Sequence, residues 1–482
     1  MSNTSPPAAP LPPLSVQSRL TIVTTCLGFF AGSVDASIVQ LGLPALEKIF
    51  DARPHNVGWV AIAYSVAFAA ALPVFSKLAE LGWRKAMYLA GFGLFGFFSA
   101  LCGFADSLAE LIALRALQGA SGALLGANSL VILVAAFGPE RRGRAMGLFA
   151  AAQAVGISSG PVLGGILLER LSWHWMFWMT VPVAICATLL GLVVVPSSKR
   201  TGARPSLDWP GALALVPALA LLQLGITKLK EWGPLSPLAL GCAAAVCVLL
   251  VFFVRRENRT DDPLLDLRVF RSPAFSGGVI GVFLSYGILY GLFFAMSFAL
   301  VRGYDLGPLA AGLRLAAVPV ALGIVAPVAG RLAEKGSRTL LLAGAGVTVA
   351  ALVALSRILP LGPGSEPMVL AALAVVGAGL GLFIAPNNSA TLAAAPPDHA
   401  SQAGGLLNLI RAMGTASGVS AASAVLSWRL ASADGAVQRS DAVPGLLVLD
   451  AAADVMLLLA LCAAVAAVAS RLRVAAKVAD GP

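Results

Sequence analysis

Long apolar runs alternate with short polar or basic segments along almost the whole chain. A run of about 20 apolar residues spans a ~30 Å hydrocarbon core as a helix, which satisfies its own backbone hydrogen bonds in lipid. The pattern predicts fourteen such helices. Six run over 20–44, 55–78, 85–105, 108–137, 144–168 and 174–196; two more, 209–229 and 236–254, follow a basic linker. The last six run over 274–301, 308–333, 338–359, 367–392, 401–428 and 446–470. The fold class is therefore an all-α polytopic membrane protein.

One polar segment recurs. SKLAELGWRKAMYLAG at 76–91 returns as GRLAEKGSRTLLLAG at 330–344, with Leu78, Ala79, Glu80, Gly82 and Arg84 matching Leu332, Ala333, Glu334, Gly336 and Arg338. Each copy is read as a short charged loop that ends one helix and starts the next. Such a repeat half a chain apart indicates two similar bundles. The copies are eight helices apart, where six-helix halves would place them six apart, so 209–254 reads as an inserted pair. The expected domains are a disordered tail (1–19), a six-helix bundle (20–196), a linker with the inserted pair (197–272), a second six-helix bundle (273–472) and a tail (473–482).

Composition agrees: 58% of the 482 residues are hydrophobic and 12% are charged, against about 25% charged in a soluble domain. The net charge of +10 would point to nucleic acid in a soluble chain. Here the positive charge sits in alternate loops. One set of segments, which includes both ends of the chain, holds 21 of the 33 lysines and arginines; the opposite loops hold nine. This asymmetry places both termini in the cytoplasm; the membrane expected is a prokaryotic cytoplasmic one. The six cysteines all lie in apolar segments without CxxC spacing, so they read as small hydrophobes and no metal site is expected.

Charges inside apolar helices are costly and need a partner or a wet cavity. Asp35 lies in helix 1, where Thr25, Gly28, Gly32 and Asp35 share a small, polar face suited to lining a cavity. Arg115 lies in helix 4 on one face with Gln118, Gly119, Gly122 and Gly126, at a depth similar to that of Asp35. Pairing the two relieves both costs, either as a static tie or as a proton-linked switch. In helix 5, Gly156, Gly160 and Gly164 align with Gln153 at a spacing that admits a close helix neighbour, and Pro161 removes a backbone donor. GISSG at 156–160 also fits GxSxG, but a hydrolase needs a strand before it and His and Asp partners. The three histidines, His55, His174 and His399, lie near the ends of helices, so no enzyme is read here. Arg314, Asn387, Asn388, Asn408 and Arg411 are polar positions of the second half. The two asparagines after Pro386 fit either a broken helix or a ligand contact. Asp450 and Asp454, near a helix end, read as solvated or snorkelling carboxylates.

These stretches together resemble the fourteen-helix drug:proton antiporter branch of the major facilitator superfamily. DASIVQLGLP (35–44) resembles its helix-1 motif and SKLAELGWRK its loop between helices 2 and 3. RALQGASGA (115–123) resembles the motif that supplies a helix-4 arginine, and GISSGPVLGG (156–165) resembles the antiporter signature. LDWPGALAL (207–215) and DPLLDLRVFRSPAF (262–275) resemble the borders of the inserted pair. Ser76, Glu80 and Trp83 depart from the family loop, which has Gly, Asp and Gly there; Ser37, Gln40 and Gly42 depart in helix 1.

The resemblance implies the major facilitator fold, two six-helix bundles plus two inserted helices, working by alternating access. It implies proton-coupled export of drugs or amphiphilic metabolites, with no cofactor beyond the proton gradient and a single chain as the working unit. An importer or facilitator, or a sensor that kept the fold, would be the alternatives. By resemblance, Asp35 and Arg115 couple protons. Glu80, Arg84, Glu334 and Arg338 form an inner gate, and Gly156, Gly160, Pro161, Gly164 and Gly165 shape the interface on which the bundles rock. Gln118, Gln153, Arg314, Asn387, Asn388, Asn408 and Arg411 are the candidate substrate-cavity residues.

Overall fold

The structure, a computed structural model, describes residues 14–138, 141–196, 208–233, 235–260, 263–395, 400–434 and 444–479. Among them are fourteen helices long and apolar enough to cross a membrane. We number these α1 (Val16–Ile49), α2 (Pro54–Leu78), α3 (Arg84–Cys102), α4 (Leu108–Phe137), α5 (Gly147–Arg170), α6 (Trp175–Val194) and α7 (Trp209–Leu229). The rest are α8 (Pro237–Glu257), α9 (Pro273–Gly303), α10 (Pro308–Ala333), α11 (Arg338–Leu361), α12 (Glu366–Ala393), α13 (Ala403–Ser432) and α14 (Gly445–Ser470).

Local chemistry sets the ends. The Ser107 hydroxyl caps α4 by accepting the Glu110 N–H at 3.2 Å, and Ser236 and Ser272 cap α8 and α9 in the same way. Proline occupies the first turn of α2, α8, α9 and α10, where no backbone donor is missed. α1 starts earlier than the apolar pattern indicates. Ser15 accepts the Ser18 N–H at 3.0 Å, so residues 16–19 of the expected tail are helical; 1–13 lie outside the described residues. At the other end the helical backbone runs to Ala479, because 471–479 (RLRVAAKVA) contains neither glycine nor proline.

The two copies of the charged repeat differ. In the first, the chain turns at Gly82, whose φ of +91° suits glycine. In the second, helical hydrogen bonding persists over Ala317–Ile358 where a loop was expected, in a stretch without proline after Pro327. The side chains of Glu80 and Glu334 lie outside the described residues. Arg84 is half-buried, with no acceptor for its Nε among the described residues, and Arg338 is exposed.

Helices α1–α6 pack on one another, α9–α14 do the same, and the two groups meet along α1–α9, α2–α13 and α5–α10. The inserted pair is not a free passenger. α7 packs on α13 and α2, one helix from each bundle. Its buried Gln223 donates to Ser417 Oγ and accepts from Ser420 Oγ on α13, both at 2.9 Å. At the end of the same helix, Glu231 pairs with His55 of α2 at 2.7 Å and with Lys228 at 2.8 Å. Interhelical hydrogen bonds in membrane proteins average about 0.6 kcal/mol and reach ~1.7. Gln223→Leu is therefore expected to lower the thermal unfolding midpoint by a few degrees while the chain still inserts. An unchanged midpoint would show that these bonds contribute nothing.

Candidate functional site

Asp35 and Arg115 meet at the centre of the first bundle. Arg115 Nη1 lies 2.8 Å from Asp35 Oδ2 and both side chains are buried, at 1% and 0% exposure. The second carboxylate oxygen accepts from Gln118 Nε2 at 2.9 Å. Arg115 also donates to Gln118 Oε1 at 2.6 Å and, through Nε, to the Val60 carbonyl at 3.1 Å. Its guanidinium sits 4.4 Å from the centre of the Tyr64 ring. Gln118 Nε2 reaches Ser99 Oγ at 3.1 Å, and Ser99 Oγ contacts Thr180 Oγ1 at 2.7 Å. Spacing in the sequence gives the pair. It gives no sign of Ser99, Thr180 or Tyr64, which come from other helices and carry no pattern of their own.

A cavity of about 170 Å³ lies beside this network, between the bundles. It is walled by Gly28–Ala36 of α1, Gly122–Ser129 of α4, Phe149–Ile157 of α5, Tyr286 and Tyr290 of α9 and Asn408–Thr415 of α13. These stretches lie midway along their helices or on the side where the chain begins. Tyr64 also lines the cavity and so separates Arg115 from it. The face expected to line a cavity is thus split. Gly28 and Gly32 face it, whereas Asp35 turns into the buried network and Thr25 Oγ1 bonds back to the Thr21 carbonyl at 2.7 Å.

Of the seven candidate cavity residues, Gln153, Asn408 and Arg411 line it. Gln118 belongs to the buried network instead. Asn387 donates to the Gly278 carbonyl at 3.0 Å and ties α12 to α9. Asn388 lies next to it, its Oδ1 buried without a donor among the described residues. Arg314 bonds back to the Ala310 carbonyl at 3.2 Å near the start of α10. Gln118, Asn387 and Arg314 thus find local backbone or neighbours that their sequence positions do not reveal. Asp454 forms an ion pair with Arg429 rather than standing alone in solvent.

The glycine signature on α5 divides between two partners. Gly156, Gly160 and Gly164 pack on α1 within the same bundle: a Cβ on Gly160 would lie 2.9 Å from Ser37 Cβ and 3.0 Å from Ile38 N. This corrects the expectation that the whole line forms the interface between bundles. Only the opposite face does. A Cβ on Gly165 would lie 2.7 Å from the Pro308 carbonyl oxygen, and one on Gly312 of α10 would collide with the Pro161 carbonyl.

The same seam carries polar ties on the side away from the termini. Glu169 Oε2 accepts the Leu309 N–H at 3.0 Å, Arg302 Nη2 donates to the Pro44 carbonyl at 3.1 Å, and the His55 N–H donates to Ser427 Oγ at 3.1 Å. All three join the first bundle to the second, so this side is closed and the cavity faces the termini. None was legible as a site, because each pairs residues more than a hundred positions apart. Glu169→Gln keeps an acceptor but removes the charge at the first turn of α10. It is expected to weaken closure by about 0.3–1 kcal/mol, read as a several-fold gain in far-side labelling of a cysteine placed in the cavity. Unchanged labelling would remove Glu169 from the seam.

Residues 25–419 match the sequence model of the Major Facilitator Superfamily. The chain is 30% identical over 406 residues to the "Riboflavin transporter RibZ" of Clostridioides difficile, covering 83% of this chain and 87% of that protein. It is 32% identical over 415 residues to the "Drug efflux pump JefA" of Mycobacterium tuberculosis, covering 84% and 80%. Among solved structures it resembles an inward-facing, unoccupied bacterial homologue of the lysosomal transporter Spinster, with a TM-score of 0.69 at 15% identity over 96% of this chain and 98% of the other; at that identity the likeness is one of fold.

Proposed function

The chain belongs to the major facilitator superfamily, and from that premise we propose that it is a proton-coupled exporter of amphiphilic small molecules. It is an integral membrane transporter. The observation that carries the finer reading is the position of Asp35, in a buried network one tyrosine away from a cavity that is closed on the far side.

The coupling follows from hydrogen-bond capacity. The Asp35 carboxylate accepts from Arg115 on one oxygen and from Gln118 on the other. A protonated carboxyl becomes a donor at one oxygen and a weaker acceptor there, so its hold on one of these partners weakens. That loosens α1 from α4. α1 also forms part of the cavity wall and carries the Pro44 carbonyl that receives Arg302. A shift of α1 would therefore be felt at the cavity and at the far-side seam together. Export would follow when a proton from outside loads Asp35 and its release accompanies substrate uptake from the cytoplasm. The basic segments support cytoplasmic termini, which makes the present cavity cytoplasm-facing. The inner gate proposed for Glu80, Arg84, Glu334 and Arg338 would close that side in the other state.

The test is transport by the purified protein in proteoliposomes, with and without a proton gradient, over a panel of aromatic drugs and metabolites. Gradient-dependent accumulation is expected. Downhill equilibration that ignores the gradient would instead identify a facilitator.

A further inference from the structure

The cavity holds a cation without a counter-ion. Arg411 is the one formally charged side chain among its described lining residues, and no carboxylate of the described residues pairs with it. Its Nη1 donates to Asn408 Oδ1 at 3.1 Å, its guanidinium stands 5.4 Å from the centre of the Tyr286 ring, and its buried Nε has no acceptor among the described residues. A guanidinium carries five N–H donors and stays charged at any working pH. Arg115 shows how this fold treats such a group when it belongs to the architecture: it receives a carboxylate, a side-chain amide and a backbone carbonyl. Among the described residues, Arg411 receives a single amide oxygen, and it lines the cavity.

The mid-helix acid of the first bundle is already committed. Asp35 is fully buried and both its oxygens are occupied. It can neither neutralise Arg411 nor attract a cationic ligand in this state. The remaining wall sets aromatic rings, among them Phe68, Phe95, Phe149, Tyr64, Tyr286 and Tyr290, between small residues, and Gln153 supplies a further amide on the opposite side. Aromatic faces would welcome cations as well as neutral rings, but Arg411 repels a cation at that distance.

We propose that Arg411, with Asn408 beside it and Gln153 across the cavity, is the anchor for the acidic group of an aromatic organic anion, and that such anions are the substrate class of this cavity. Arginine suits the task because its planar fork accepts a carboxylate through two parallel hydrogen bonds. The ring system of the ligand then lies against the tyrosines and phenylalanines. The inference rests on the cavity being the transport path, as proposed above, but it concerns what the cavity binds and not how transport is driven.

Binding to the purified full-length protein in lipid nanodiscs, with no gradient present, separates the two. The probes are fluorescein and pyrenebutyrate as aromatic anions, and ethidium and pyrenemethylammonium as aromatic cations. The wild type is expected to bind at least one anion about tenfold or more tightly than either cation, the discrimination of one charge-assisted pair. Arg411→Gln should lose about tenfold of anion affinity and gain cation affinity, and Arg411→Lys should restore part of the loss. Tighter binding of a cation, no binding of either anion, or anion binding unchanged in Arg411→Gln each overturns the assignment. The wild-type comparison stands even if a variant fails to fold. Anion binding that depends on Arg411 without gradient-driven export would sink the exporter reading and leave this one in place.

Discussion

An Asp35→Asn protein is expected to insert, fold and bind ligand, yet to lose gradient-driven export. The substitution keeps the shape of the side chain and removes the titratable group. Arg115 keeps the Val60 carbonyl, Gln118 Oε1 and the face of Tyr64, so a partly satisfied cation remains. Arg115→Ala is expected to be worse. It strips Asp35 of its counter-charge in a fully buried site and leaves Gln118 as its one remaining hydrogen-bond donor of the pair. Breaking a buried ion pair by removing one partner costs about 3–5 kcal/mol, enough to reduce the folded fraction itself. The measurements are export into proteoliposomes across an imposed proton gradient and thermal unfolding of both variants. Gradient-dependent export by Asp35→Asn at the wild-type rate would move the proton site to another acid, such as Asp454.

Two glycine substitutions should fail in different ways. Gly160→Leu forces α1 away from α5 inside one bundle, where a Cβ alone would meet Ser37 and Ile38. Gly312→Leu pushes α10 from α5 across the seam between bundles, against the Pro161 carbonyl. Overpacking a close interface costs about 1–3 kcal/mol, and helix association in lipid depends on that approach. For Gly160→Leu the cost falls on the folded state, so the yield of folded protein should drop. For Gly312→Leu it falls on the far-side-closed state alone, so the protein should fold and dwell open on that side. At ~1.4 kcal/mol per factor of ten, the state populations should shift by about fivefold to more than a hundredfold. Labelling of Ala412→Cys by an impermeant maleimide from the far side, in a background without the native cysteines, reads the shift. Equal folding yields for the two variants, or no gain in far-side labelling for Gly312→Leu, would contradict this division of the glycine line.

The fourteen spans and the Asp35–Arg115 pairing were legible in the residues because each follows from a short-range rule. An apolar run of spanning length must become a helix in lipid, and two opposite charges at one depth in hydrocarbon both lower their cost by pairing. Spacing within one helix also made the glycine line visible. What it faces was not legible, because a helix surface can meet any neighbour: Gly160 found α1, while Gly165 found α10 across the seam. The same limit separates the polar candidates. Asn387 turned to a backbone carbonyl of α9, Gln118 to the buried pair, and Arg411 to the cavity, though all three read alike as polar residues in apolar helices. Local periodicity fixes which side chains share a face of one helix. Which faces meet, which leave a cavity and which charge goes without a partner depend on contacts between residues far apart in the chain, and those are decided by packing in three dimensions.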